Sequence, residues 1–122
     1  IDRGTGRTAT AISSGRNHTC ALLDNASVEG WGYGNSGQRG QGNTNPLGDG
    51  ANEMGDNLTS IDFGTGRTAT AISSGSGHSC ALLDNASVKC WGNNDSGQLG
   101  IGSITNMGDN TGEMAVLPSI DL

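Results

Sequence analysis

His78-Ser79-Cys80-Ala81-Leu82-Leu83-Asp84-Asn85-Ala86-Ser87-Val88-Lys89-Cys90-Trp91-Gly92 recurs almost unchanged sixty residues earlier, as residues 18 to 32. Two short apolar runs flank a polar Asp-Asn-Ala-Ser cluster, the pattern of a β-hairpin. A three-residue loop of Asp84, Asn85 and Ala86 puts Leu83 opposite Ser87. The register then sets Leu82 against Val88, Ala81 against Lys89 and Cys80 against Cys90. Alternation sorts the hairpin into two apolar faces, one with Cys80, Leu82, Val88 and Cys90, the other with Ala81, Leu83 and Trp91. The first hairpin has the same faces, with Leu22 and Val28 on one and Leu23 and Trp31 on the other. A single sheet cannot bury both. Each face needs a neighbouring copy, which is the physical logic of repeat architectures.

The repetition extends well beyond the hairpin. Residues 1–50 and 61–110 are identical at about two-thirds of positions, which marks a tandem repeat. Within each unit, Arg7-Thr8-Ala9-Thr10-Ala11-Ile12 alternates like a strand crowded on both sides, and Ser13-Ser14-Gly15 breaks it. The hairpin follows, then a glycine-dense stretch from Trp31 or Trp91, which requires positive φ or close backbone approach and excludes a helix. Residues 43–58 read as a long polar loop around Pro46. Short strands near residues 58–61 and 117–120 would bring each unit to four strands, the content of a propeller blade. The expected organisation is repeat 1 at residues 1–60, repeat 2 at 61–119, and the opening of a third at 120–122. There, Pro118-Ser119-Ile120-Asp121-Leu122 restates Thr59-Ser60-Ile61-Asp62-Phe63 one residue early.

The composition agrees with an all-β chain. Of 122 residues, 32% are hydrophobic, 22 are glycine, and the aromatics are Trp31, Tyr33, Phe63 and Trp91. That is poor material for an independent core. The net charge is −6, and the six basic residues form no cluster, so nucleic acid is not an expected partner. No apolar run is long enough to cross a bilayer, so no membrane insertion is expected. The chain does not begin with Met, as expected of a processed product or an excerpt.

The string running from Gly75 through His78-Ser79-Cys80, Trp91-Gly92 and Gly97-Gln98-Leu99-Gly100 to Gly102 resembles the repeat of the regulator of chromosome condensation family. The first unit departs from it at Arg39, where the second has Leu99, and at Gly30, where the second has Cys90. The resemblance implies a β-propeller, typically of seven blades with four antiparallel strands each. Its members are mostly binding proteins, among them an exchange factor for a Ran-type GTPase, a secreted β-lactamase inhibitor and bacterial extracellular proteins. Paired cysteines look like the bacterial exported branch.

Opposition of Cys80 and Cys90 across one hairpin allows a disulfide, and with it an oxidising compartment: extracellular, cell surface or periplasm. Two reduced core thiols are the alternative. Cys20 faces Gly30 and is expected to be a free buried thiol, or an intermolecular bridge. His18 and His78 stand without further ligands at metal spacing and read as structural. Asp49, Glu53, Asp56, Asp109 and Glu113 make loop calcium conceivable, but their spacing fails the EF-hand pattern, and no cofactor is expected. No carboxylate pair reads as catalytic, so the chain is not expected to be an enzyme. Asn17, Asn25, Asn57 and Asn85 open glycan-acceptor triplets that arise by chance in such a composition. Glu29 and Lys89 occupy equivalent positions with opposite charges and could pair between blades.

Two blades cannot close a ring, for which about four to eight are needed. The expected role is a non-catalytic extracellular scaffold or binding module that stacks on further copies of itself through Leu22, Leu23, Val28, Trp31, Leu82, Leu83, Val88 and Trp91. The assembly is a ring if the rotation closes and a filament if it does not. The alternative is a ligand-recognition fragment whose loops, residues 43–58 and 103–117, bind a protein or glycan.

Overall fold

The structure, a computed structural model, describes residues 6–42, 48, 53–54, 58, 60–64, 66–110 and 112–120. Strands β1 (Ala9–Ser14), β2 (His18–Leu23) and β3 (Val28–Gly32) form one antiparallel sheet. Strands β4 (Ala69–Ser74), β5 (His78–Leu83) and β6 (Val88–Gly92) form a second sheet of the same order. The hairpin register is the predicted one, with Leu82 opposite Val88, Ala81 opposite Lys89 and Cys80 opposite Cys90. Leu83 N donates to Ser87 O at 2.9 Å and closes the loop, while Asn85 Oδ1 accepts from the Ser87 N–H and hydroxyl. Ala86, like Ala26, takes the left-handed conformation that a three-residue hairpin loop requires at its last position. The turn is tied back to β4. Asp84 N donates to Thr68 O at 2.8 Å, and the Asp84 carboxylate meets the Thr68 N–H and Arg67.

Two expectations are corrected. β1 and β4 begin at Ala9 and Ala69 rather than at the arginines and run through the serines, and β1 is largely exposed rather than crowded on both faces. A bulge between Ala9 and Ala11 shifts the alternation, and Ile12 points into solvent. Among the described residues each sheet has three strands, not four. Residues 58, 60–61 and 117–120 run past the free edge of the third strand, and among the described residues they form no ladder. Ile61 N donates to Val28 O and Ile120 N to Val88 O, each at 2.8 Å, and Met107 bridges Gly92 farther along β6. The edge is thus covered by isolated backbone contacts, which blunt it without a regular strand.

The core lies between the sheets. Cys20, Leu22 and Val28 of the first sheet meet Ala69, Ala81, Leu83 and Trp91 of the second, with Ile61, Phe63, Met114 and Leu117 closing the edge. One face of repeat 1 is therefore buried by the opposite face of repeat 2. Phe63 packs tilted against Trp91 with ring centroids 5.4 Å apart.

Candidate functional site

The junction between the sheets is built around one main-chain carbonyl. After β3 the chain makes two successive tight turns, Gly37 N to Gly34 O and Gly40 N to Gly37 O, each 2.9 Å, with Gly37 and Gly40 at positive φ. The Gln38 side chain caps Ser36 N at 2.9 Å and fixes the loop. This shape pushes Gln38 O into the second sheet, where it accepts from Trp91 Nε1 at 3.1 Å and from Ser79 Oγ at 3.0 Å. Both lone pairs of the carbonyl are then used.

Ser79 has one proton, and it goes to Gln38. His18 Nε2, 2.8 Å from the same hydroxyl oxygen, must be the donor there, and Cys20 Sγ at 3.7 Å completes the group. Burial, and then the neighbouring His78 charge, lower the His18 pKa from its ordinary value and keep the ring neutral. Burial raises the Cys20 thiol, although Ser79 and Ser74 act the other way. Cys20 is free, buried and protonated, so the site holds no activated nucleophile.

Cys80 and Cys90 are joined by a disulfide with their Cα atoms 4.0 Å apart. Repeat 1 has no room for the equivalent bond. A Cβ on Gly30 would lie 2.9 Å from Arg39 O, because the junction loop presses on that glycine. Positions 34 and 39 differ from 94 and 99 as a pair. The Arg39 guanidinium fills the space a side chain at Gly34 would need. In repeat 2, Asn94 occupies that space, donating to Ser103 O and Thr105 O and accepting from Leu99 N, while Leu99 is buried.

The residues expected to pack between blades fall into two groups. Leu22, Leu23, Val28, Leu83 and Trp91 are buried. Trp31 and Val88 are half-buried, and Leu82 is 41% exposed against 7% for its equivalent Leu22. Leu23, on the outer face of repeat 1, is buried within the chain itself. Lys89 donates to Phe63 O at 3.0 Å rather than meeting Glu29.

Two shallow clefts of about 190 and 200 Å³ are present, the first between Gly40, Asp62 and Met114, the second on the open face over Ile72, Cys80, Leu82 and Val88. Both are smaller than usual small-molecule sites. Glu113 accepts from Gly108 N and Asn110 N. Burial works to raise its pKa, but these bonds and one from Asp109 hold it low, while burial and Glu113 push Asp109 up. Among the described residues no group of three or more His, Cys, Asp or Glu could hold a metal ion; Asp49 and Asp56 lie outside them, as do Asn57, Asp121 and Leu122. The junction carbonyl was not foreseen from the sequence, since a main-chain oxygen leaves no residue signature. The glycine spacing around Gln38 was the available cue.

Residues 9–38 and 69–98 match the regulator of chromosome condensation (RCC1) repeat. The X-linked retinitis pigmentosa GTPase regulator of Canis lupus familiaris is 34% identical over 94 residues, 76% of this chain and 9% of that protein. The ultraviolet-B receptor of Arabidopsis thaliana is 33% identical over 95 residues, 75% of this chain and 19% of the receptor. The chain thus spans under a fifth of the length of these relatives. Among solved structures, Prp20p from Saccharomyces cerevisiae superposes with a TM-score of 0.70 at 14% identity, over all of this chain and 27% of that one. This likeness concerns the fold, and the two sheets are propeller blades. The chain carries two repeats of the regulator of chromosome condensation family, one in each sheet.

Proposed function

We infer that the chain is a non-catalytic structural and binding module that works by stacking its blades on further copies of itself. One observation carries this reading. The face of repeat 1 formed by Cys20, Leu22 and Val28 is buried by repeat 2, and the same face of repeat 2 is left open at Leu82 and Val88. Covering it removes apolar surface from water, and a face of the right shape is already present in the chain's own repeats. Protein binding is also in keeping with Prp20p, which has binding properties toward Gsp1p and histones. The disulfide favours an oxidising setting, extracellular or at the cell surface.

Light scattering on the 122-residue chain across a concentration series tests the reading. Mass is expected to rise with concentration in steps of one chain. A folded monomer at every concentration would remove the proposal.

A second reading, recognition of a protein or glycan by the rim loops, is favoured by Ile104 and Val116, exposed at 72% and 75% on residues 103–117. Capture of a partner that is lost on substituting these two residues, with self-association unchanged, would support it.

A further inference from the structure

The equivalent positions at which the two repeats differ in burial include both halves of the junction. On the donor half, His18, Gly37, Gln38 and Gly40 are buried, whereas His78 and Gln98 are half-buried and Gly97 and Gly100 exposed. On the receiving half, Ser79 and Trp91 are buried, whereas Thr19 and Trp31 are only half-buried. Elsewhere on that face Ala21 and Leu23 are already as buried within the chain as Ala81 and Leu83, and Thr19 and Trp31, the counterparts of the carbonyl's two donors, are the positions left half-buried.

The uncovered donor loop already has its bound shape. Gly97 N donates to Asn94 O and Gly100 N to Gly97 O at 3.0 Å, and Ser96 N to Gln98 Oε1 at 2.9 Å, repeating the bonds around Gln38. Gly97 and Gly100 have φ of 74° and 67°, against 81° and 70° for Gly37 and Gly40. On the receiving side Gly48 has the same φ, 95°, as its counterpart Gly108. The donor loop itself need not refold to dock.

We propose that residues 96–100 of one chain insert into the Thr19–Trp31 socket of a second copy, giving a polar, head-to-tail contact. Gln98 O accepts from Trp31 Nε1 and from Thr19 Oγ1 of the second copy, and His78 Nε2 donates to that Thr19 oxygen. These are the bonds made within the chain by Gln38, Trp91, Ser79 and His18. The proposal rests on the stacking reading above and adds its recognition elements and direction.

Glycine 97 supplies a clean probe. A Cβ there meets nothing within 4 Å in the single chain, whereas one on Gly37 runs into the backbone of residues 107–109. Asn tolerates positive φ, so Gly97→Asn should leave the fold intact and block the donor end. Thr19→Val with Trp31→Phe removes both socket donors while keeping apolar bulk. Sedimentation equilibrium, with circular dichroism confirming folding, compares the parent chain, each variant and their mixture. Each variant alone is expected to associate at least tenfold more weakly than the parent. The mixture is expected to stop at a 1:1 dimer, because one intact donor end and one intact socket remain. A parent that associates while both variants associate equally well overturns the socket but leaves stacking standing. A parent that never associates overturns both.

Discussion

At single positions the two repeats report on each other, because each is a control for the other's chemistry. The Gly34–Arg39 and Asn94–Leu99 pairs solve one packing problem in two ways, and mixing the solutions should fail. Gly34→Asn alone forces an amide into the space of the Arg39 guanidinium and is expected to cost about 2–3 kcal/mol as overpacking. Gly34→Asn with Arg39→Leu restores the pairing of repeat 2, and urea denaturation around the double-mutant cycle should show a coupling above about 1 kcal/mol. Burial lowers the Arg39 pKa, while the Glu53 charge opposes this, so removing the guanidinium relieves a desolvation cost as well. His18 gives a pH dependence of definite sign. Its folded pKa lies below the ordinary 6.5, so the unfolded chain binds the proton first as pH falls. The stability from neutral His18 is complete above about pH 6.5 and is lost on acidification below it. His18→Gln, which keeps a donor to Ser79, should flatten that part of the urea midpoint against pH.

At the scale of elements, the hairpins were legible and the edges were not. The Asp84-Asn85-Ala86 loop and the cross-strand partners follow from local alternation and turn chemistry, which a chain carries in adjacent residues. Among the described residues no fourth strand forms: Ile61 and Ile120 reach β3 and β6 through backbone bonds to Val28 and Val88, and Met107 takes the far end of β6. Nothing in the side chains of residues 58–61 distinguishes a single bond from a ladder. The thiols divide for a reason that a sequence states only in part. Opposition places Cys80 beside Cys90, but the absence of a second bridge traces to the loop resting on Gly30. Reduction of the bridge, ten residues apart in sequence, should lower unfolding stability by about 2–3 kcal/mol through the entropy of the opened loop. Equilibrium denaturation with and without reductant measures it, and Cys80→Ala with Cys90→Ala should reproduce the loss without reductant. Iodoacetamide should modify Cys20 only at the rate of unfolding, since its thiol is buried with a raised pKa.

For the molecule as a whole, the alternation of apolar faces foretold that one repeat covers the next, but the means of covering lay beyond it. The faces supply non-directional burial, which fixes neither offset nor polarity. A carbonyl aimed by two glycine turns at an indole and a hydroxyl supplies both, and one turned away by an ångström would leave buried donors unpaired. If that loop holds the two repeats in place, a methyl group at its first glycine must be far more costly where the loop is docked than where it is free. Gly37 and Gly97 have the same kind of turn and nearly the same φ, so the strain of placing Ala at positive φ is common to both, about 1 kcal/mol after the entropy that glycine loses on folding. What differs is contact. The methyl at Gly97 enters open space, and the methyl at Gly37 overlaps the backbone of residues 107–109, which cannot rotate away. Gly37→Ala is therefore expected to lose at least about 2 kcal/mol more than Gly97→Ala, measured by urea unfolding at a dilution where the chain is monomeric. Equal losses would mean that the loop does not set the distance between the repeats, and that the apolar faces alone hold them together.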